Sequence, residues 1–339
     1  MQHKSELQIN RYFIISLIVF SISILSLSGN SFAQSKEWLV FDSVRTGLSS
    51  QWVTSVVADN NGNMMIGTYE SGLLIVDKNK NCRLLNSKNS RIPDESITSI
   101  SIDREGNKWI GTIFGGLFCM KDTAIVTYNT QNSKVSLDDI TSVFIDTAGR
   151  KWVGTKDGIY AFDGLKWKKY YDETDIEPAF WVRGITADKY GTIWIATNSG
   201  LSSLSGRKWK KFDEKNSKIP ANSVTTVSVD RFNNKWVGTF GGGIGKFDGK
   251  EWTEYFTGNV ETLKTNFINY IYVDKYDNKW ICTNDKGIYR FDNVNWTVYD
   301  TSNSKLPSDI VYSIIVDELN NKWICTDKGL AIFNENGVK

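Results

Sequence analysis

A few side chains in this 339-residue chain have types suited to holding another molecule. Arg183 carries a planar guanidinium, which can grip a carboxylate or sulfate through two parallel hydrogen bonds. Six aromatics, Trp52, Tyr69, Phe114, Trp181, Phe240 and Phe267, offer faces for stacking on sugar rings or on a partner's side chains. Glu70, Asp157, Asp285 and Asp327 are carboxylates of the kind that hydrolyse glycosides when two stand ~5–10 Å apart. The bland readings are a salt bridge for Arg183, loop packing for the aromatics and surface solvation for the carboxylates.

Other chemistry is excluded by composition. The chain has one histidine, His3. Beyond it there is no imidazole for base catalysis, for a Ser-His or Cys-His nucleophile, or for the usual zinc sites. Cys82, Cys119, Cys282 and Cys325 follow no zinc spacing, and no catalytic residue, metal or cofactor is expected. Cys282 and Cys325 share a repeat position where other repeats carry Gly or Ala, so they read as small buried side chains.

These groups are positioned by a repeat. The frame Asp103-Arg104-Glu105-Gly106-Asn107-Lys108-Trp109-Ile110-Gly111-Thr112 recurs from Asp59, Asp146, Asp188, Asp230, Asp274 and Asp317, at offsets of 42 to 44 residues. A period of ~40–45 residues points to the four-stranded blade of a β-propeller. Short apolar runs bounded by Gly, Asn and Asp predict four strands per repeat. In the second repeat these are 97–102, 108–112, 116–120 and 125–128. The repeat Asp residues read as turn formers that accept bonds from following backbone amides, in preference to calcium ligands, because the loop supplies too few oxygens.

The last repeat stops near Asn336 after three strands, and Trp38-Leu39-Val40-Phe41-Asp42 has no blade of its own. It is therefore expected to complete the seventh blade and close the ring. Of 13 tryptophans, six fall on second strands (Trp109, Trp152, Trp194, Trp236, Trp280, Trp323) and five on fourth strands (Trp38, Trp167, Trp209, Trp252, Trp296). They are read as core between blades; Trp52 and Trp181 fall outside the period. The fold class is thus all-β, a seven-bladed propeller of four-stranded antiparallel blades.

Strand order puts the loops before first strands and after second strands on one face, the top. Trp52, Trp181 and Phe267 share one top position, seven residues before the repeat Asp. Tyr69, Phe114 and Phe240 follow the second strands. Arg183 lies on a first strand, lining the channel, where the other repeats have Thr54, Thr98, Thr141, Thr225, Asn269 and Tyr312. Arg45 and Arg91 lie in other top loops and are expected to reach the same face.

The N-terminus reads as a secretory signal peptide, residues 1–33. It has a basic start at Lys4 and Arg11, an apolar run from Tyr12 to Leu27, and a small-x-small site at Ser31-Phe32-Ala33. An uncleaved anchor is the rival, disfavoured by the short run. Residues 34–339 are then expected to form a single exported domain, periplasmic or secreted, without membrane insertion after cleavage. Lys and Arg total 40 and Asp and Glu 38, so no electrostatic footprint for nucleic acid is expected.

The motif Asp-x-x-Gly-Asn-x-Trp-Ile-Gly-Thr followed by Gly-Leu and Phe-Asp closely resembles the two-component regulator propeller repeat. The resemblance spans essentially all of residues 34–339. It implies an exported sensor-type propeller that detects glycan-derived ligands, with a structural repeat motif that supplies no catalytic residue. Ser101-x-Asp103 and Ser228-x-Asp230 also resemble the start of the Asp box of sialidases, itself a turn element. The expected function is a non-catalytic binding platform recognising a glycan or glycan fragment on its top face. Alternatives are a protein-interaction scaffold with an envelope protein partner on the same top face, and a glycan hydrolase or lyase working without histidine.

Overall fold

The computed structural model describes residues 37–133, 138–170 and 181–339. The proposed signal peptide lies outside the described residues. Seven four-stranded antiparallel sheets follow one another along the chain. The first blade opens with the strand Val53–Ala58 and the sixth ends with Trp296–Tyr299. The seventh holds Val311–Val316, Lys322–Thr326 and Gly329–Phe333, and its fourth strand is Trp38–Phe41, paired antiparallel to Gly329–Phe333 in the register Trp38↔Phe333 and Phe41↔Leu330. The expected closure is therefore present, and it joins the two ends of the described chain by a ladder of main-chain bonds instead of leaving an open edge. In the first six blades the strand order is sequential, and in the seventh the N-terminal strand is added at the outer edge.

Each hairpin between first and second strands is built the same way. In the fifth blade Asp230 Oδ1 accepts from the amides of Phe232 (2.9 Å) and Asn234 (2.8 Å), and Oδ2 accepts from Asn234 Nδ2 (2.8 Å). Three residues after the repeat Asp the backbone is left-handed in every blade. Blades one to four place Gly there (Gly62, Gly106, Gly149, Gly191) and blades five to seven place Asn233, Asp277 and Asn320. Only Gly, Asn and Asp adopt that conformation at low cost. The turn reading of the Asp array is borne out, with one addition. Oδ2 also takes the indole N–H of the Trp six residues on, at 2.9 Å for Trp109, Trp152, Trp236, Trp280 and Trp323 and 3.1 Å for Trp194.

The core is a set of seven apolar wedges, one between each pair of neighbouring blades. Trp236, for example, packs with Ile244 of its own blade and Ile268, Ile271 and Ile281 of the next. Trp152, Trp236, Trp280 and Trp323 are fully buried. Fourth-strand tryptophans seal the outer rim by stacking on a cross-strand Phe. The pairs are Trp38 on Phe333, Trp167 on Phe162, Trp252 on Phe247 and Trp296 on Phe291, with ring centroids 4.5–5.0 Å apart. Offset stacking of this kind adds roughly 0.5–1.5 kcal/mol per pair beyond burial. All four cysteines are free, and Cys282 and Cys325 are buried as expected.

Candidate functional site at the channel mouth

The seven first strands surround a central cavity of about 440 Å³ whose wall includes Thr54, Thr98, Thr141, Arg183, Thr225, Asn269 and Tyr312. At this level the blades are tied together by side chains. Thr54 Oγ1 donates to the carbonyl of Ile97, Thr98 to Ile140 and Thr225 to Ile268, each at 2.7 Å. Thr141 does the same to Val182, and Asn269 Nδ2 reaches the carbonyl of Val311 at 2.9 Å. A short hydroxyl on a first strand is the right length to meet the next strand's carbonyl. Arg183 in blade four and Tyr312 in blade seven are too long for that bond and interrupt the ring at two places, three blades apart.

Among the described residues Arg183 makes no hydrogen bond or ion pair. Its Nε is inaccessible and meets no acceptor, so the salt bridge considered from sequence is not formed among the described residues. Its guanidinium instead lies 4.5 Å from the centroid of the Trp181 ring. Burial lowers its pKa from the usual arginine value, while the group remains a cation at any physiological pH. Lys156 Nζ lies 5.5 Å from the same ring and is balanced by Asp139, 2.5 Å away.

Blade seven meets blade one through a second cluster. Trp52 stacks on Tyr312 (5.4 Å) and tilts against Tyr69 (4.7 Å), and the Tyr69 amide donates to the Trp52 carbonyl at 2.9 Å. Burial, and next the charge of nearby Asp327, push the Tyr312 hydroxyl up to about 12, so it stays a neutral donor. Asp327 Oδ1 is itself inaccessible and unpartnered. A third cluster pairs Phe240 with Phe267 at 4.8 Å, their backbones joined by an isolated bridge.

The structure thus groups Trp52, Tyr69, Trp181, Arg183, Phe240 and Phe267 around the top of the ring in three clusters. Phe114 stands apart. It is 78% exposed, its amide is held by Asp94 Oδ2 at 2.7 Å, and among the described residues it contacts no other ring. Arg45 departs from expectation. Its guanidinium covers the Phe41 ring at 4.6 Å and donates to the carbonyl of Lys80 at 3.0 Å, in a bottom-face turn, so it does not join the mouth. Arg91 is exposed. Tyr312 and Lys156 belong to the clusters and were not singled out as ligand-binding groups, while Asp327, one of the candidate carboxylates, acts on Tyr312 through its charge. The available signal was register, since Tyr312 shares the Arg183 position and Asp327 the Lys156 position, each directly after a second-strand Thr.

Of the candidate carboxylates, Asp157 is engaged by Thr155 Oγ1 (2.5 Å) and Lys169 (3.5 Å). Among the described residues no group of three or more His, Cys, Asp or Glu is placed to hold a metal ion. No described helix is long and apolar enough to cross a membrane.

Comparison with known proteins agrees with this architecture. The family model described as two-component regulator propeller matches residues 47–70. No curated protein sequence matches the chain. Among solved structures, the extracellular domain of a hybrid two-component system from B. thetaiotaomicron is 19% identical, with a TM-score of 0.57, over 84% of this chain and 51% of that one. The extracellular domain of a one-component system from the same organism is 18% identical, with a TM-score of 0.58, over 84% of this chain and 48% of that one. The chain therefore spans about half the length of these two relatives. A catalytically inactive His-to-Ala virginiamycin B lyase from Staphylococcus aureus, solved with quinupristin, is 14% identical, with a TM-score of 0.70, over 87% of this chain and 98% of that one. Likeness at these identities establishes the fold. The chain carries the two-component regulator propeller repeat, at residues 47–70, within a closed seven-bladed β-propeller.

Proposed function

We propose that this protein is an exported, non-catalytic ligand-binding propeller of the sensor type, recognising a glycan or glycan fragment at its top face. The observation that carries the reading is the clustering of three aromatic groups around one channel mouth, at positions where the other blades carry Ser96, Asp139, Ser223 or Ile310. Trp52, Trp181, Phe240 and Phe267 are 38–48% exposed, so their faces are available to stack on a sugar ring. The extracellular sensor domains of similar fold support the same reading. The lyase relative is described as inactive once a histidine is replaced, and the only histidine here is His3. A propeller fold alone decides no function.

The test is a thermal-shift screen of the purified protein against neutral and acidic oligosaccharides. Ligand at a hundredfold excess over Kd stabilises the folded state by ~2.7 kcal/mol. A rise in Tm that Trp52→Ala and Phe240→Ala each abolish supports the reading. No rise with any saccharide overturns it.

A second reading, a protein-interaction scaffold in the cell envelope, rests on a different surface. Two residues after the repeat Asp, at the tip of the bottom turns, blades four to seven carry Tyr190, Phe232, Tyr276 and Leu319, 54–77% exposed. Blades one to three carry Asn61, Glu105 and Ala148 there, so the turn itself does not require an apolar side chain. An exposed apolar arc across four blades is what a protein contact uses.

A further inference from the structure

Four buried side-chain atoms among the described residues have no hydrogen-bond partner: Asn107 Oδ1, Trp167 Nε1, Arg183 Nε and Asp327 Oδ1. Two of them belong to charged groups, and one of these, Arg183, lines the central cavity. Buried polar atoms in folded proteins are almost always satisfied, and a desolvated charge without a counter-charge is costly. Their placement is also not random with respect to the fold. Arg183 and Tyr312 are the two residues that interrupt the ring of inter-blade bonds, they line the same cavity, and Asp327 is the carboxylate whose charge acts on Tyr312. Arg183 therefore lacks an anion on one side of the mouth.

We propose that the mouth is built for an acidic sugar, one carrying a carboxylate or sulfate that Arg183 binds, with its rings stacked on the aromatic side chains of the mouth. This rests on the reading that the channel mouth is the ligand site, and it narrows the ligand class. The anion supplies the acceptors that the guanidinium lacks, in a planar geometry that suits bidentate bonding. Arg183 has the Trp181 face beside it, and the Trp52–Tyr312 pair offers a second face at the mouth, so the sugar rings have surfaces to stack on. Lys156 does not compete for the anion, because Asp139 already neutralises it. A neutral sugar would leave the Arg183 charge unmatched, and a cationic one would meet it as a like charge.

The experiment is calorimetric titration of the full protein with three oligosaccharide probes of equal length: neutral, uronic-acid-bearing and sulfated. The expected result is binding of one or both acidic probes about tenfold or more tighter than the neutral one, a difference that disappears in Arg183→Met, is partly restored in Arg183→Lys, and shrinks as salt is raised. The uronic and sulfated arms tell which anion is preferred. Phe114→Ala, away from the mouth, is expected to change binding of none of the three probes. Circular dichroism and Tm of each variant confirm folding. Neutral and acidic probes binding equally, in a manner that Trp52→Ala abolishes, would overturn this inference and leave the mouth as the glycan site. No saccharide binding at all, or binding indifferent to Trp52→Ala, would overturn the mouth reading itself.

Discussion

The two faces of this propeller are made from the same repeat and treat charge in opposite ways. On the bottom, each repeat Asp accepts from donors of its own turn, six of the seven also accept the indole N–H of their own blade, and three have a lysine of the next blade within 4.0 Å. Lys151, Lys235 and Lys279 lie 3.7–4.0 Å from Asp103, Asp188 and Asp230 and sit over the Trp109, Trp194 and Trp236 rings at 4.8–5.0 Å. Lys279 is fully buried and further held by Asp277 (2.9 Å) and Asn293 (2.6 Å). Where the lysine is missing, another cation substitutes. Blade one has Met64 at that position, and Lys80 takes the place over Trp323 at 5.4 Å. Blade four has Ile193, and Arg150 covers Trp152 while bonding Asp146 at 2.7 Å. On the top, Arg183 lines the central cavity with no such partner among the described residues. A charge matched inside the chain joins blade to blade, whereas a charge left unmatched in a cavity is available to a molecule from outside.

That contrast can be broken most forcefully from below. Asp230→Ala strips the acceptor from two amides, the Asn234 side chain and the Trp236 indole, and leaves Lys279 buried with less counter-charge. A loss of about 3–5 kcal/mol is expected in urea unfolding. A loss under about 1 kcal/mol would show that the bottom network is not what joins the blades.

Next in size is the response to acid. Burial pushes the Asp230 carboxyl up, but bonds from Trp236 and Asn234 and the charge of Lys279 together outweigh it and hold the pKa below the usual 3.8. Asp103 and Asp146 are lowered by the same balance, through Asn107 and Trp109 and through Trp152 and Arg150. A folded pKa below the unfolded one contributes stability that is fully present above the unfolded pKa and is lost as pH falls through the folded one. The urea midpoint is therefore expected to hold above about pH 4 and to fall progressively below it. Asp230→Asn should flatten that fall, and an unchanged slope would contradict the assignment.

A smaller effect of opposite sign is expected at the top. Arg183→Met removes a half-buried cation with no partner and should raise the stability of the unliganded protein by about 1 kcal/mol. A destabilisation of that size would mean that the guanidinium already has a structural role. Smallest of all, Phe232→Asn exchanges one exposed turn tip for the residue type found in blade one. It should shift stability by no more than about 0.5 kcal/mol, read from the same unfolding curves.

The sequence by itself determined the architecture. Strand bounds such as 97–102 and 108–112, the left-handed turn position, the tryptophan wedges and the Trp38–Phe41 closure are local signals repeated at a fixed spacing, and each repeat corroborates the others. The site was only half legible. Register placed Trp52, Trp181, Phe267 and Arg183 on the top face. Only the closed ring brought Trp52 against Tyr312, 260 positions away in the chain, separated Phe114 from the other aromatics, and turned Arg45 toward the bottom. Whether a charge is matched depends on which groups from other blades arrive beside it. Spacing within one repeat fixes a strand and a turn, but it carries no information about that convergence, so the orphaned Arg183 and Asp327 emerged only from the tertiary structure.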